Sequence, residues 1–157
     1  MAAIETVSRE LVSLVRGLRE LHSTITDVSR YPVDASGAAV LSRLDELGPS
    51  RLSTLAAVLC LDLSTVSRQV PGLERQGWVA RRRDPDDHRA QLLELTELGR
   101  DVLADVRRSR VGVLTSLLPD WTDAELQTFA AQLSRFNRDV TGNRASVALA
   151  STGTETR

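Results

Sequence analysis

The stretch from Asp62 to Leu95, DLSTVSRQVPGLERQGWVARRRDPDDHRAQLLEL, leaves the chain little choice of fold. Val66, Val70 and Leu73 fall at i, i+4 and i+7 and mark the buried stripe of a short helix. Asp62 is placed to cap that helix by accepting a backbone N–H of its first turn. Ser64, Thr65 and Arg68 then point away from the core. Gln76-Gly77 stops the helix, the glycine being free to take a left-handed conformation. Trp78 to Arg83 and Gln91 to Leu95 read as two short strands, joined by a turn over Asp84-Pro85-Asp86-Asp87-His88-Arg89.

The outward helix face is small, hydroxylated and cationic at its N-terminal end, where a helix also presents free N–H groups and partial positive charge. Such a surface suits phosphates and base edges. Further patterns coincide with it: L-A-x-x-L over Leu55 to Leu59, S-T-V-S-R over Ser64 to Arg68, L-E-R-x-G-W-V-x-R over Leu73 to Arg81, D-P-x-D-x-R over Asp84 to Arg89, and L-T-x-x-G over Leu95 to Gly99. Together they make Leu52 to Gly99 resemble the winged helix-turn-helix of the MarR family of transcriptional regulators. The resemblance implies that the helix carrying S-T-V-S-R enters the major groove of DNA. It also implies that Arg89 reaches the minor groove from the wing tip, steadied by Asp87.

The expected fold class is therefore mainly α with a small β-hairpin wing, a winged helix-turn-helix between N- and C-terminal dimerisation helices. Residues 1–32 form the N-terminal dimerisation helix and 33–95 the DNA-binding domain, with the helix-turn-helix over 53–76 and the wing over 78–95. Residues 96–142 form C-terminal dimerisation helices, and the small, polar composition of 143–157 predicts a disordered tail. In the first helix, Ile4, Val7, Leu11, Leu14, Leu18, Leu21, Ile25 and Val28 alternate spacings of three and four, a narrow seam that calls for another helix. That helix can come from the same subunit or, as the resemblance implies, from a second one.

Asp34 or Ser36 starts the next helix, with Val40, Leu41, Leu44 and Leu47 inside, and Ser53 is placed to cap a third that buries Leu52, Leu55, Ala56 and Leu59. Cys60 occupies a turn position where the family most often has glycine, which predicts positive φ for a partly buried thiol. Pro71 removes the N–H that would bond the carbonyl of Ser67, which predicts a bend in the helix without a break. Thr96 starts a long helix with Leu98, Val102, Val106, Val113 and Leu117 inside. Thr122 caps the last, whose stripe is Leu126, Phe129, Leu133, Phe136 and Val140.

Net charge is only −1, so bulk electrostatics do not announce a partner. Its distribution does more: Arg51 to Arg89 holds seven arginines against five acids, whereas the flanking segments are slightly acidic. All twenty basic residues are arginine, which suits phosphate and guanine but which a GC-rich genome also produces. One cysteine fits a reducing compartment, and the absence of a long apolar run or signal-peptide pattern predicts a cytoplasmic protein without membrane contact.

No nucleophile and base pair or glycine-rich phosphate loop points to an enzyme, and no metal or other cofactor is expected. Asp84, Asp86, Asp87 and His88 offer donors but lack the pattern of a calcium or zinc site, and they read better as acids that orient neighbouring arginines. The expectation is a homodimer that binds a pseudo-palindromic operator in double-stranded DNA and represses transcription in response to a small phenolic or anionic effector. The candidate DNA-binding residues are Ser64, Thr65, Ser67, Arg68, Arg81, Arg82, Arg83, Asp87 and Arg89. The alternative is a winged helix used for protein–protein interaction without specific DNA binding.

Overall fold

The computed structural model describes residues 1–142; the tail expected over 143–157 lies outside the described residues. A first unit spans Met1–Leu117 and a second begins at Leu118. In the first, α1 (Ala2–Val28), α2 (Ala35–Leu47), β1 (Ser50–Arg51), α3 (Leu52–Leu59), α4 (Leu63–Arg75), β2 (Val79–Arg83), β3 (Gln91–Leu95) and α5 (Glu97–Leu117) follow in order. The second holds α6 (Asp123–Gly142). The class is as expected, mainly helical with a small antiparallel sheet.

That sheet has three strands in the order β1-β3-β2, one more than the hairpin read from sequence. Ser50 pairs with Leu93 and Arg51 with Leu92, while β2 and β3 pair from Val79 opposite Leu95 to Arg83 opposite Gln91. A two-residue strand has no alternation to detect, so β1 left no periodic signal. The core gathers Val40, Leu41 and Leu44 of α2, Leu55 of α3, Val66, Val70 and Leu73 of α4, Leu93 of β3 and Val102 and Val106 of α5.

Several local expectations are corrected. The Asp62 side chain makes no capping bond, although its carbonyl accepts the N–H groups of Thr65 and Val66. Ser53 lies inside α3, whose N-cap is Arg51, because pairing in β1 fixes the chain up to that residue. Leu52 and Leu59 are half-buried, and Leu47, Leu98 and Leu117 are exposed, each at the edge of a stripe that the core does not reach. Asp34, by contrast, caps α2 as expected through a 2.6 Å bond from the Gly37 N–H.

Cys60 has φ 56° and ψ 36°, as its position predicts, but its thiol is exposed. α4 runs unbroken through Pro71. It ends with the Gly77 N–H on the carbonyl of Glu74 and the Trp78 N–H on that of Leu73, at a Gly77 φ of 73°. Those paired bonds and the buried contact of Leu73 and Trp78 make a Schellman ending, which sets the direction in which the wing departs.

The L-T-x-x-G pattern fixes the base of the wing. Thr96 donates its hydroxyl to the carbonyl of Gly77 at 2.7 Å and accepts the Gly99 N–H at 2.9 Å, so it caps α5 and ties it to the α4–β2 turn. Gly99 lies against the Trp78 carbonyl so closely that an added Cβ would stand 2.0 Å from its oxygen.

α1 forms as the seam predicts, yet along it only Ile25 is buried, with Leu11 and Leu21 half-buried. Its C-terminal end is anchored to the unit by the Arg30 N–H, which donates to Asp105 of α5 at 2.8 Å. Ile4, Val7, Leu14 and Leu18 are exposed. In the second unit, the Thr122 N–H and hydroxyl donate to Glu125, and the Glu125 N–H returns to the Thr122 oxygen, a capping box. These bonds hold the Glu125 carboxyl below the usual range, the hydroxyl being the larger cause. Phe129, Leu133, Phe136 and Val140 are exposed along α6, with Trp121 edge-on to Phe129 at 5.4 Å.

Candidate nucleic-acid interface

Burying Val66, Val70 and Leu73 turns Ser64, Ser67 and Arg68 outward, as the spacing requires; Thr65, at the margin of the stripe, is half-buried. The Arg68 guanidinium has no carboxylate partner among the described residues. With no side-chain cap from Asp62, whose carbonyl takes the Thr65 and Val66 N–H groups, the N–H groups of Leu63 and Ser64 at the start of α4 stay free beside the serine hydroxyls. Donors and one unneutralised cation therefore share one surface.

The wing divides its three consecutive arginines by strand alternation. Arg81 stands opposite the buried Leu93, and its Nε donates to Glu74 of α4 at 2.7 Å. Arg82, on the other face, meets Glu94 of β3 at 3.0 Å. Arg83, at the end of β2, has no such partner among the described residues. The three do not form a single cationic row, and two of them are largely neutralised within the protein.

The tip is held by an arginine outside the hairpin, one that the sequence reading left unassigned. Arg51 of β1 donates from Nη2 and Nε to one oxygen of Asp84, at 2.6 and 2.9 Å, and the Asp84 side chain is only 8% exposed. Asp84 also accepts the Asp86 N–H at 3.0 Å. Hydrogen bonding to Arg51, then to backbone, holds the Asp84 carboxyl below its ordinary range, and the same partner raises Arg51.

Asp87 was expected to steady the Arg89 side chain. Instead it accepts the Arg89 backbone N–H at 3.1 Å and lies 3.4 Å from Arg51 Nη2. It orders the turn that carries Arg89 and leaves the guanidinium exposed, with no acid partner among the described residues. Asp84 and Asp87 of this loop are committed to Arg51 and to backbone N–H groups, and no cluster of three metal-ligating side chains occurs among the described residues.

Comparison with known proteins agrees with this geometry. The MarR family model matches residues 36–90, the helix-turn-helix and most of the wing. The chain is 31% identical over 135 residues to the HTH-type transcriptional regulator YxaD of Bacillus subtilis, covering 86% of this chain and 93% of that one. The chain belongs to the MarR family. It is a DNA-binding transcriptional regulator, and its family is not one of enzymes.

Solved MarR-fold structures give the same architecture. Streptococcus pneumoniae FabT, in complex with DNA, superposes with a TM-score of 0.73 at 18% identity, over 88% of this chain and 98% of that one. The PcaV transcriptional regulator of Streptomyces coelicolor, in complex with its natural ligand, does so with a TM-score of 0.62 at 26% identity, over 79% and 89%. No helix among the described residues of this MarR-family chain is long and apolar enough to cross a membrane.

The structure of this regulator thus brings Ser64, Ser67 and Arg68 to one exposed helix face and Arg83 and Arg89 to the open end of the wing, and it takes Arg81 and Arg82 into internal ion pairs. Arg51 is the functional residue missed. Its only sequence signal was an arginine just before α3, which nothing local connects to an aspartate 33 residues later.

Proposed function

We propose that the chain acts as a homodimeric, sequence-specific repressor on a pseudo-palindromic operator, and that a small effector releases it from DNA. The observation that carries the reading is the sorting of arginines: Arg68, Arg83 and Arg89 are exposed without acid partners among the described residues, on the elements that a winged helix offers to the major and minor grooves. Ser64, Thr65 and Ser67 supply hydroxyls for phosphates or base edges, and Arg68 a phosphate or guanine contact. Arg81, Arg82 and Asp87 shape and orient this surface.

Two further features support a dimer. The N-terminal part of the α1 seam and the α6 stripe each leave large apolar side chains exposed, and contiguous patches of that kind usually mark association surfaces. Two recognition helices about one DNA turn apart would then read two half-sites. Effector response is supported by the ligand-bound structure of the related PcaV and by an open groove of about 640 Å³ between α1 and α5, where Thr24, Asp105, Arg108 and Ser109 offer polar groups. Footprinting on the DNA upstream of the gene, with sedimentation to establish the subunit count, tests the reading. A symmetric footprint bound by a dimer is expected; a monomer that protects no fragment at low ionic strength would overturn it.

A further inference from the structure

A second cleft of the first unit lies away from the DNA-facing residues, between the α1–α2 linker and the C-terminal half of α4, and encloses about 240 Å³. Val33, Leu73 and Trp78 give it an apolar lining, and among the described residues Asp34 is the one charged group there and no cationic side chain takes part. Gln69 also lines it. The Gln69 Oε1 atom is sealed from water and has no hydrogen-bond partner among the described residues. A buried acceptor left unpaired is costly, and native structures rarely keep one without a ligand or an ordered water to meet it.

Two details make the cleft usable. Gly72 leaves its wall open, since a Cβ added there would meet nothing within 4 Å. Asp34 spends Oδ1 on the Gly37 N–H, and its other carboxylate oxygen has no protein partner among the described residues. The terminal torsion of a glutamine is soft and broad, so the Gln69 amide can turn toward a guest.

We propose that this cleft binds a small apolar-bodied cation with N–H donors, an arylamidine or arylalkylamine. Gln69 accepts one N–H, Asp34 balances the charge, and Trp78 and Leu73 cover the body. Occupancy acts on DNA binding, a part of the proposal that rests on the regulatory reading above. Gln69 belongs to the helix that carries Arg68, and Pro71 leaves the Ser67 carbonyl without its helical N–H partner beside the cleft. Coupling between the guest and DNA is then reciprocal.

The test uses the full chain with Trp121→Phe, which leaves Trp78 as its one tryptophan, and compares benzamidine with the isosteric anion benzoate by Trp78 fluorescence and calorimetry. Benzamidine is expected to saturate and to bind at least ~10-fold tighter than benzoate, the loss that one charge-assisted contact represents. Gln69→Met should weaken it by a similar factor without lowering Tm, and Gly72→Leu, which fills the cleft, should abolish it. Benzoate binding as well as benzamidine, or benzamidine binding unchanged in both variants, overturns the site.

A second arm measures affinity for upstream DNA with and without saturating benzamidine. A shift in the parent that Gly72→Leu removes supports the coupling; no shift, or the same shift in both, overturns it. The calorimetric titration needs no DNA, so the ligand site and the regulatory reading fail separately.

Discussion

Seven arginines lie from Arg51 to Arg89, and the inner contacts of the wing and its exposed faces treat them differently. Within the wing and its supports, Arg51, Arg81 and Arg82 each meet a carboxylate, from Asp84, Glu74 and Glu94 respectively. On the exposed face of α4 and at the open end of the wing, Arg68, Arg83 and Arg89 meet none among the described residues. Arg75, at the C-terminal end of α4, also has no acid partner among the described residues. The first set holds elements together; the second leaves positive charge available to an anion. Counting arginines cannot make this distinction, because it depends on which acids the fold brings within reach.

The comparison breaks most severely if its platform is removed. Both sets depend on the Thr96 and Gly99 clamp beneath the wing, and Gly99→Ala drives a Cβ toward the Trp78 carbonyl oxygen, a backbone atom that cannot yield as a side chain can. We expect a loss of about 3 kcal/mol and a fall in Tm on the order of 10 °C, with DNA affinity lost as well. Thermal melting checks it; a Tm within a degree or two of the parent would show that α5 can slide away from the wing.

Next in size is the unpaired set. Arg89→Ala should weaken binding to the operator about tenfold and reduce the slope of log affinity against log salt by about one, since one phosphate-neutralising contact is lost. Arg68→Ala should cost a similar factor and, if it reads guanine, relax specificity at one position of each half-site. Neither side chain makes an internal bond among the described residues, so melting temperatures should stay within a degree or so of the parent. An unaltered salt slope for Arg89→Ala would take the wing tip out of the interface.

These contrasts also show how far the sequence could be read. The helical stripes, the caps at Asp34, Thr96 and Thr122, the positive φ of Cys60 and Gly77 and the outward face of α4 follow from spacing and residue type within a few turns of chain. What was not legible depends on distant partners. The two-residue β1 has no period, Arg51 finds Asp84 only after β1 has joined β3, and Arg81 finds Glu74 only after the Schellman turn has set the wing beside α4. Asp87 was paired with the Arg89 side chain by family resemblance, whereas the fold gives it the Arg89 backbone N–H and Arg51. The seam of α1 was legible as a seam, but which of its residues the chain itself buries, Ile25 and in part Leu11 and Leu21, was not.

Asp84→Asn sharpens the comparison from the structural side. It should weaken operator binding several-fold while leaving the salt slope intact, because the tip is misplaced and no DNA contact is removed. A carboxyl whose folded pKa is depressed contributes stability that is fully present above its unfolded value, about 3.9, and is lost as pH falls through the folded value. The tip amides of Asp86 to Ala90 should therefore stay protected through neutral and mildly acidic pH and open below the ordinary carboxylate range. In Asp84→Asn that acid transition should disappear. Hydrogen exchange across pH follows both; an acid transition that persists in the variant would assign it to another group.

The smallest effect is the most discriminating, because it compares neighbours. Arg82 and Arg83 are adjacent in β2, identical in chemistry and both exposed, and differ in that Arg82 has Glu94 at 3.0 Å. The Arg82–Glu94 pair is solvated on both sides, so breaking it should change stability by less than about 0.5 kcal/mol. With its charge already balanced, Arg82→Ala should also change operator affinity by less than about threefold and the salt slope by well under one, whereas Arg83→Ala should lower both measurably. Equal losses from the two substitutions would mean that DNA displaces Glu94 from Arg82 on binding. The division between tied and free arginines would then describe the free protein alone, and the wing would carry one more DNA contact than the unbound structure displays.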